Sequence, residues 1–154
     1  MIFTYNDYDA VKLYFKTITR KKIFTNGCFD LFHYGHLELL KRCKDHPSDC
    51  LIIGLNSDKS VRLLKGSKRP IISEIQRAEI LQSLLCVDYV IIFDEPTPSK
   101  ILNMINPDII IKGADWSMDD LKNMYISDKV KYKLLPLIPN ISTTDIINRI
   151  LNKE

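Results

Sequence analysis

Residues 50–55, Cys50-Leu51-Ile52-Ile53-Gly54-Leu55, form an unbroken apolar run with no polar alternation. A strand with one wet face alternates polar and apolar residues. A short continuous run bounded by turns instead predicts a strand covered on both faces, as in a parallel sheet between helices. Residues 22–25, 88–93, 107–111 and 133–137 read as four more strands; Pro136 puts the last at an edge or a strand end. Helical patterns lie between them. Val11, Tyr14, Phe15 and Ile18 share one face after a cap at Asn6 or Asp7. Leu37, Leu40 and Cys43 recur at helical spacing, as do Val61 and Leu64. Residues 73–76 form a capping box before Ala78, Leu81, Leu84 and Leu85. Thr97 and Pro98 open a helix through Ile101, Leu102 and Ile105, and Ser117 one through Leu121 and Met124. A last helix carries Ile146, Ile147, Ile150 and Leu151. The alternation predicts an α/β fold: a doubly wound, mostly parallel, five-stranded Rossmann-like sheet.

In such sheets ligands bind beyond the carboxyl ends of the strands. The polar clusters at 25–36, 56–58, 94–97, 112–116 and 139–144 all follow strands. They are therefore expected on one rim. A length of 154 residues fits a single domain over residues 1–154, with an N-terminal helix in 1–20 and the core in 21–154. The net charge is only +3. Basic residues cluster at 20–22 and 65–69 and are otherwise dispersed, which points to phosphate ligands and gives no nucleic-acid footprint. Neither a signal peptide nor a membrane span is expected. Cys28, Cys43, Cys50 and Cys86 form no C-x-x-C pair and sit in apolar settings, as suits a reducing cytoplasm.

The most unusual stretch is Thr25-Asn26-Gly27-Cys28-Phe29-Asp30-Leu31-Phe32-His33-Tyr34-Gly35-His36. It reads as a strand-to-helix turn, with His33 just before the helix and His36 in its first turn. Backbone N–H groups there lack intrahelical partners, so the place attracts anions. Gly27 lets backbone bend or approach a ligand, and Gly35 removes bulk beside the imidazoles. A metal pair is the weaker reading: no third Cys or His stands nearby, and His46 sits in a polar loop.

Gly27-Cys28-Phe29-Asp30 followed by His33-Tyr34-Gly35-His36 resembles the cytidylyltransferase-like branch of the HxGH nucleotidyltransferases. The resemblance implies transfer of a nucleoside monophosphate from a nucleoside triphosphate to a phosphate-bearing acceptor, with pyrophosphate leaving. It implies His33 and His36 as donors to the reacting phosphate, and Lys65 and Arg77 as cations on the triphosphate. Asn26, Gly27, Cys28, Phe29, Asp30 and Gly35 would form the first wall of the nucleotide site. Lys112-Gly113-Ala114-Asp115-Trp116 is similar to the family's G-x-D-W segment. It implies Lys112, Gly113 and Asp115 beside the nucleotide. Trp116 would stack on a base or sugar and, with Asp58, face the acceptor. Ile141-Ser142-Thr143-Thr144 looks like the family's I-S-T-T signature, a phosphate cradle at a helix start. For Asp30, Ser142 and their neighbours plain capping stays open. Mg²⁺ is expected to arrive with the triphosphate, because the chain offers no dedicated metal cage.

Residues 61–70, 86–98 and 107–113 are most similar to adenylyltransferases acting on D-glycero-D-manno-heptose 1-phosphate. That implies ATP and a sugar 1-phosphate as the small-molecule substrates. Asp115-Trp116 leans toward cytidylyltransferases using CTP and glycerol 3-phosphate or another polyol phosphate. Ile138-Pro139-Asn140 departs from them, since the glycerol-phosphate subgroup carries an arginine-rich R-T-E-G lead before I-S-T-T. A non-catalytic nucleotide-binding module is the alternative of another class. Relatives are often homodimers, and the N-terminal helix is the expected contact.

Overall fold

The computed structural model of the chain describes residues 1–125 and 127–152. Lys153 and Glu154, the end of the expected 1–154 domain, lie outside the described residues. The elements run β1 (Ile2–Phe3), α1 (Tyr8–Lys16), β2 (Lys22–Gly27), α2 (Tyr34–Lys41), β3 (Cys50–Asn56), α3 (Asp58–Lys65) and α4 (Glu74–Gln82). Then follow β4 (Tyr89–Phe93), α5 (Ser99–Ile105), β5 (Ile109–Gly113), α6 (Met118–Met124), β6 (Lys131–Leu135) and α7 (Thr143–Leu151). The strands form one parallel sheet in the order β1-β4-β3-β2-β5-β6.

The apolar runs work as their lack of alternation predicts. Cys50 and Ile52 of β3 face one core with Ile91, Phe93 and Ile110. Leu51, Ile53 and Leu55 face the other with Val90, Ile92 and Ile111. Helices α1, α5 and α6 cover the first face through Val11, Phe15, Ile101, Leu102 and Leu121. Helices α2 and α4 cover the second through Leu40, Ala78 and Leu81. Gly54 of β3 lies opposite Asn26 of β2 and makes room for the Phe24 ring: a Cβ there would meet Phe24 Cζ at 2.7 Å.

Three expectations need correction. The sheet has six strands, because Ile2–Phe3 pairs with Val90 and Ile91 at one edge. Two residues are too few for any periodicity to show. The last strand runs over Lys131–Leu135 rather than 133–137 and stops before Pro136, which has no N–H for the ladder. Leu85 is fully exposed, since α4 ends at Gln82 and the apolar face expected through Leu85 is not continued. Ile150 and Leu151 of α7 are exposed as well.

The chain leaves β2 for β3 and β4 on one side, then crosses to β5 and β6 on the other. The carboxyl ends of β2 and β5 therefore flank the reversal point of the sheet, where open α/β sheets take their ligands.

Candidate active site

A cavity of about 980 Å³ opens at that reversal point. From β2 and the turn after it come Asn26, Gly27, Cys28, Phe29, Asp30, His33, Gly35 and His36. From β5 and its following loop come Lys112, Gly113, Asp115 and Trp116. Lys65 reaches in from the end of α3, and Ser142, Thr143 and Thr144 from the start of α7. Segments far apart in the chain thus share one space.

His33 is the N-cap of α2, and its Nδ1 accepts the N–H of His36 at 3.4 Å. A neutral ring whose Nδ1 accepts carries its proton on Nε2, so His33 offers an Nε2–H donor. The two imidazoles stack with centroids 3.7 Å apart and planes 18° from parallel. Phe29 and Phe32 flank the His36 ring at 5.2 and 5.6 Å. Burial, reinforced by His33 and opposed by Asp30, pushes the His36 imidazole down to about 3. Burial lowers His33 too. Both are therefore neutral near pH 7. Gly35 makes the close packing feasible: a Cβ would lie 3.1 Å from the His33 ring and 3.2 Å from Ile141.

Asp30 ties the site together. Its buried carboxylate accepts the N–H groups of Ile71 and Ile72 and pairs with the Arg69 guanidinium. Its carbonyl oxygen accepts the Thr143 hydroxyl at 2.7 Å. Burial alone would push this carboxyl up, but the two backbone N–H groups and Arg69 outweigh it and hold it below the ordinary value. The flanking Phe29 and Leu31 have φ of 48° and 49°, a left-handed conformation costly for such side chains. The Asp30 bonds hold that turn in place. Ser142 caps α7, its hydroxyl accepting the Asp145 N–H at 3.1 Å. Thr143 and Thr144 then lie in the first turn of α7.

Two expected residues stand elsewhere. Arg77 is not on the rim: it is 1% exposed, and its guanidinium is taken up by protein acceptors. These are the carbonyl oxygens of Ile72, Cys28 and Asn56 and the Asp58 carboxylate. Asp58 is turned to Arg77, its own N–H donates to Glu74, and it does not line the cavity. The reason is local: α4 begins beside the carboxyl ends of β2 and β3, whose carbonyls need a donor at the place where the ladder ends.

Conversely, Arg69, Thr97, Asp120 and Asn123 line the cavity without having been singled out as site residues. Arg69 lay in a recognisable basic loop. Asp120 and Asn123 stand on α6, which the spacing of Leu121 and Met124 marks as a helix without marking its polar residues as a site. Burial raises the Cys28 thiol, against the pull of Lys65, Arg77, Arg69 and Lys112. It is therefore no thiolate nucleophile. Among the described residues, no three His, Cys, Asp or Glu side chains converge as a metal cage.

The depressed His36 value has a stability consequence. An imidazole kept neutral by the fold must gain a proton on unfolding once pH falls below its ordinary value of 6.5. Its contribution is complete above that pH and declines as pH drops toward about 3. Denaturation across this window should show stability falling with acid, with a shallower slope in His36→Asn. Equal slopes would show that His36 titrates normally.

The sequence model of the cytidylyltransferase-like family matches residues 24–149. The bifunctional protein HldE of Syntrophotalea carbinolica is 46% identical over 133 residues, 85% of this chain and 27% of that protein. HldE of Helicobacter pylori is 47% identical over 85% of this chain and 28% of its own length. HldE of Aliarcobacter butzleri is 40% identical over 98% of the chain and 31% of its own length. The chain thus spans about three tenths of the curated relatives it matches. A solved lipopolysaccharide core biosynthesis protein from Thermoplasma volcanium superposes with a TM-score of 0.63 at 27% identity, covering 76% of this chain and 95% of that one. Pantoate-beta-alanine ligase from Francisella tularensis shares the fold, with a TM-score of 0.63 at 16% identity. The matched segment runs from β2 into α7 and so contains nearly every wall of the cavity; the chain belongs to the cytidylyltransferase-like family.

Proposed function

We propose that this chain is a nucleotidyltransferase that moves AMP from ATP onto the phosphate of a sugar 1-phosphate of the heptose type. The observation that supports this most is the meeting of three parts in one cavity: the His33–His36 pair, the backbone around Gly113, and the helix start at Ser142–Thr144. The sugar acceptor rests on the resemblance of residues 61–70 and 86–98, and on a solved relative named for lipopolysaccharide core biosynthesis.

In the proposed reaction an acceptor phosphate oxygen attacks the α-phosphorus of ATP in line. A new P–O bond forms, the bond to the bridging oxygen breaks, and that electron pair leaves with pyrophosphate. A phosphate monoester with a second pKa of about 6 is already an anion at neutral pH. No base is needed to make the nucleophile, which agrees with a His36 too weakly basic to serve as one. His33 and His36 donate hydrogen bonds to the α-phosphate oxygens as charge moves onto them. Lys65 faces the leaving triphosphate end. The first turn of α7, with its free N–H groups and the hydroxyls of Thr143 and Thr144, holds a second phosphate. Asp115 and Trp116 stand where a sugar or base would lie.

Mg²⁺ carried in on a triphosphate fits a cavity whose lining includes acidic side chains. It is usually held by substrate phosphates and one or two carboxylates, and Asp115 and Asp120 are the side chains that would complete its shell. When bound it would neutralise phosphate charge. The reading further places the protein in the cytoplasm as a homodimer without nucleic-acid or membrane partners. Among the described residues no helix is long and apolar enough to cross a membrane.

The test is pyrophosphate release with ATP, CTP, GTP and UTP against heptose 1-phosphate, other sugar phosphates and glycerol 3-phosphate. ATP with the heptose phosphate should give the highest kcat/KM. Excess chelator should abolish release and added Mg²⁺ restore it. A preference for CTP with glycerol 3-phosphate would overturn the substrates, and release with no pair would leave a nucleotide-binding module.

A further inference from the structure

The strands on either side of the reversal point part company before they end. Strand β2 pairs with β5 only at Ile23–Ile109 and Phe24–Ile110. On their outer sides both strands stay paired to their last residues, Gly27 with Leu55 and Gly113 with Leu135. The inner ladder thus opens after Phe24 and Ile110, and the cavity floor lies in the opening. One side chain crosses it. Lys112 Nζ donates to the carbonyl oxygen of Asn26 at 2.9 Å, an acceptor that the splayed ladder leaves without a strand partner. The same ammonium sits over the Trp116 ring, 4.3 Å from its centroid.

We propose that Lys112 is a positioning residue for the nucleotide: a strut that fixes the width of the opening between β2 and β5 and the orientation of Trp116. This inference rests on the nucleotidyltransferase reading for its ligand, though not for its geometry. Several features agree. Lys112 is only 6% exposed although it lines the cavity. The neighbouring Gly113 lets Leu137 and Asp115 close over the backbone beside it: a Cβ there would lie 2.6 Å from Leu137 Cδ2 and 2.7 Å from Asp115 Oδ1. Asn26 and Gly27 form one lip of the opening, and Gly113, Asp115 and Trp116 the other. A planar base or ribose between these lips depends on their separation. Burial pushes the ammonium down to about 8, while Asp115 and Cys28, the ionisable groups facing it, oppose that shift.

Trp116 is the single tryptophan of the chain, so its emission reports the strut directly. A cation over an indole quenches it. In the unmodified protein, emission should step upward as pH rises through about 8. Lys112→Met keeps the apolar stem and removes the charge and the donor. It should abolish the step and raise the nucleotide KM about tenfold, the lower end of what losing a supporting partner behind a binding group costs. Acceptor KM and kcat should change much less. If Lys112→Met does not fold, the unmodified protein still decides: its nucleotide KM should rise through the same pH as its emission. An emission without a step, or a Lys112→Met effect confined to kcat, overturns the strut. An emission step in a protein that releases pyrophosphate with no substrate pair leaves the strut standing and removes the enzymatic reading.

Discussion

Alanine at His33 or at His36 is expected to lower turnover about a hundredfold or more, the usual loss when one preorganised donor to a developing oxyanion is removed. The two replacements should differ in stability. His33 is half-buried and caps α2 through Nδ1, so His33→Ala should cost about 1 kcal/mol, as lost N-caps do. His36 packs between Phe29 and Phe32, and His36→Ala leaves a void there. His33→Asn separates the two functions of that residue. Its amide oxygen can cap the helix and recover the stability, but its amide nitrogen lies short of where Nε2–H reaches, so turnover should stay low. Denaturation and single-turnover rates on the same samples make the comparison. A folded His33→Ala or His36→Ala protein with near-normal turnover would remove the replaced imidazole from the chemistry.

What sequence made legible was whatever repeats along the chain. The unbroken apolar runs at 50–55 and 88–93 specify strands buried on both faces, and strands of that kind need helices on each side. The ends of elements were less legible. Pro136 stops β6 for a reason visible in the residue itself. The edge strand Ile2–Phe3 exists only because β4 offers it the partners Val90 and Ile91 from the middle of the chain, which no local pattern records.

The cavity was legible in the same measure. His33, Gly35, His36, Gly113 and the Ser142–Thr144 helix start all gather where the strand order reverses, because each ends or follows a strand on the same rim. The turn at Asp30 shows the limit. Sequence leaves its carboxylate either a helix cap or a ligand group, whereas it holds Ile71, Ile72 and Arg69. Those partners lie about forty residues on, in a loop whose path only the packed fold determines. Arg77 fails for a related reason. A charged residue one turn into an amphipathic helix usually faces solvent, and nothing local marks it as the donor that three carbonyls share.

Arg77→Ala should therefore be mainly a stability defect. The guanidinium donates from Nε to Ile72 O at 2.9 Å, from Nη1 to Cys28 O and to Asn56 O, and from Nη2 to Asp58 at 2.8 Å. Alanine leaves three backbone carbonyls and a carboxylate without that donor, and opens a hole where the largest fully buried side chain stood. Removing one partner of a buried, hydrogen-bonded charge costs about 3–5 kcal/mol, a large part of the 5–15 kcal/mol typical of a whole domain. In a chain of this size that lowers Tm by roughly 10 °C or more. Arg77→Lys should recover little, because one ammonium cannot span acceptors in the turn at Cys28, the end of β3 and the approach to α4 together. The kinetics follow from what those segments carry. Arg77 braces the Cys28 turn that holds His33 and His36 as well as the loop held by Asp30, so nucleotide and acceptor KM should worsen together in whatever fraction stays folded. The measurement is a thermal melt beside steady-state kinetics with each substrate varied. A variant with an unchanged Tm and a rise in nucleotide KM alone would mean that the guanidinium leaves its carbonyls and reaches the triphosphate.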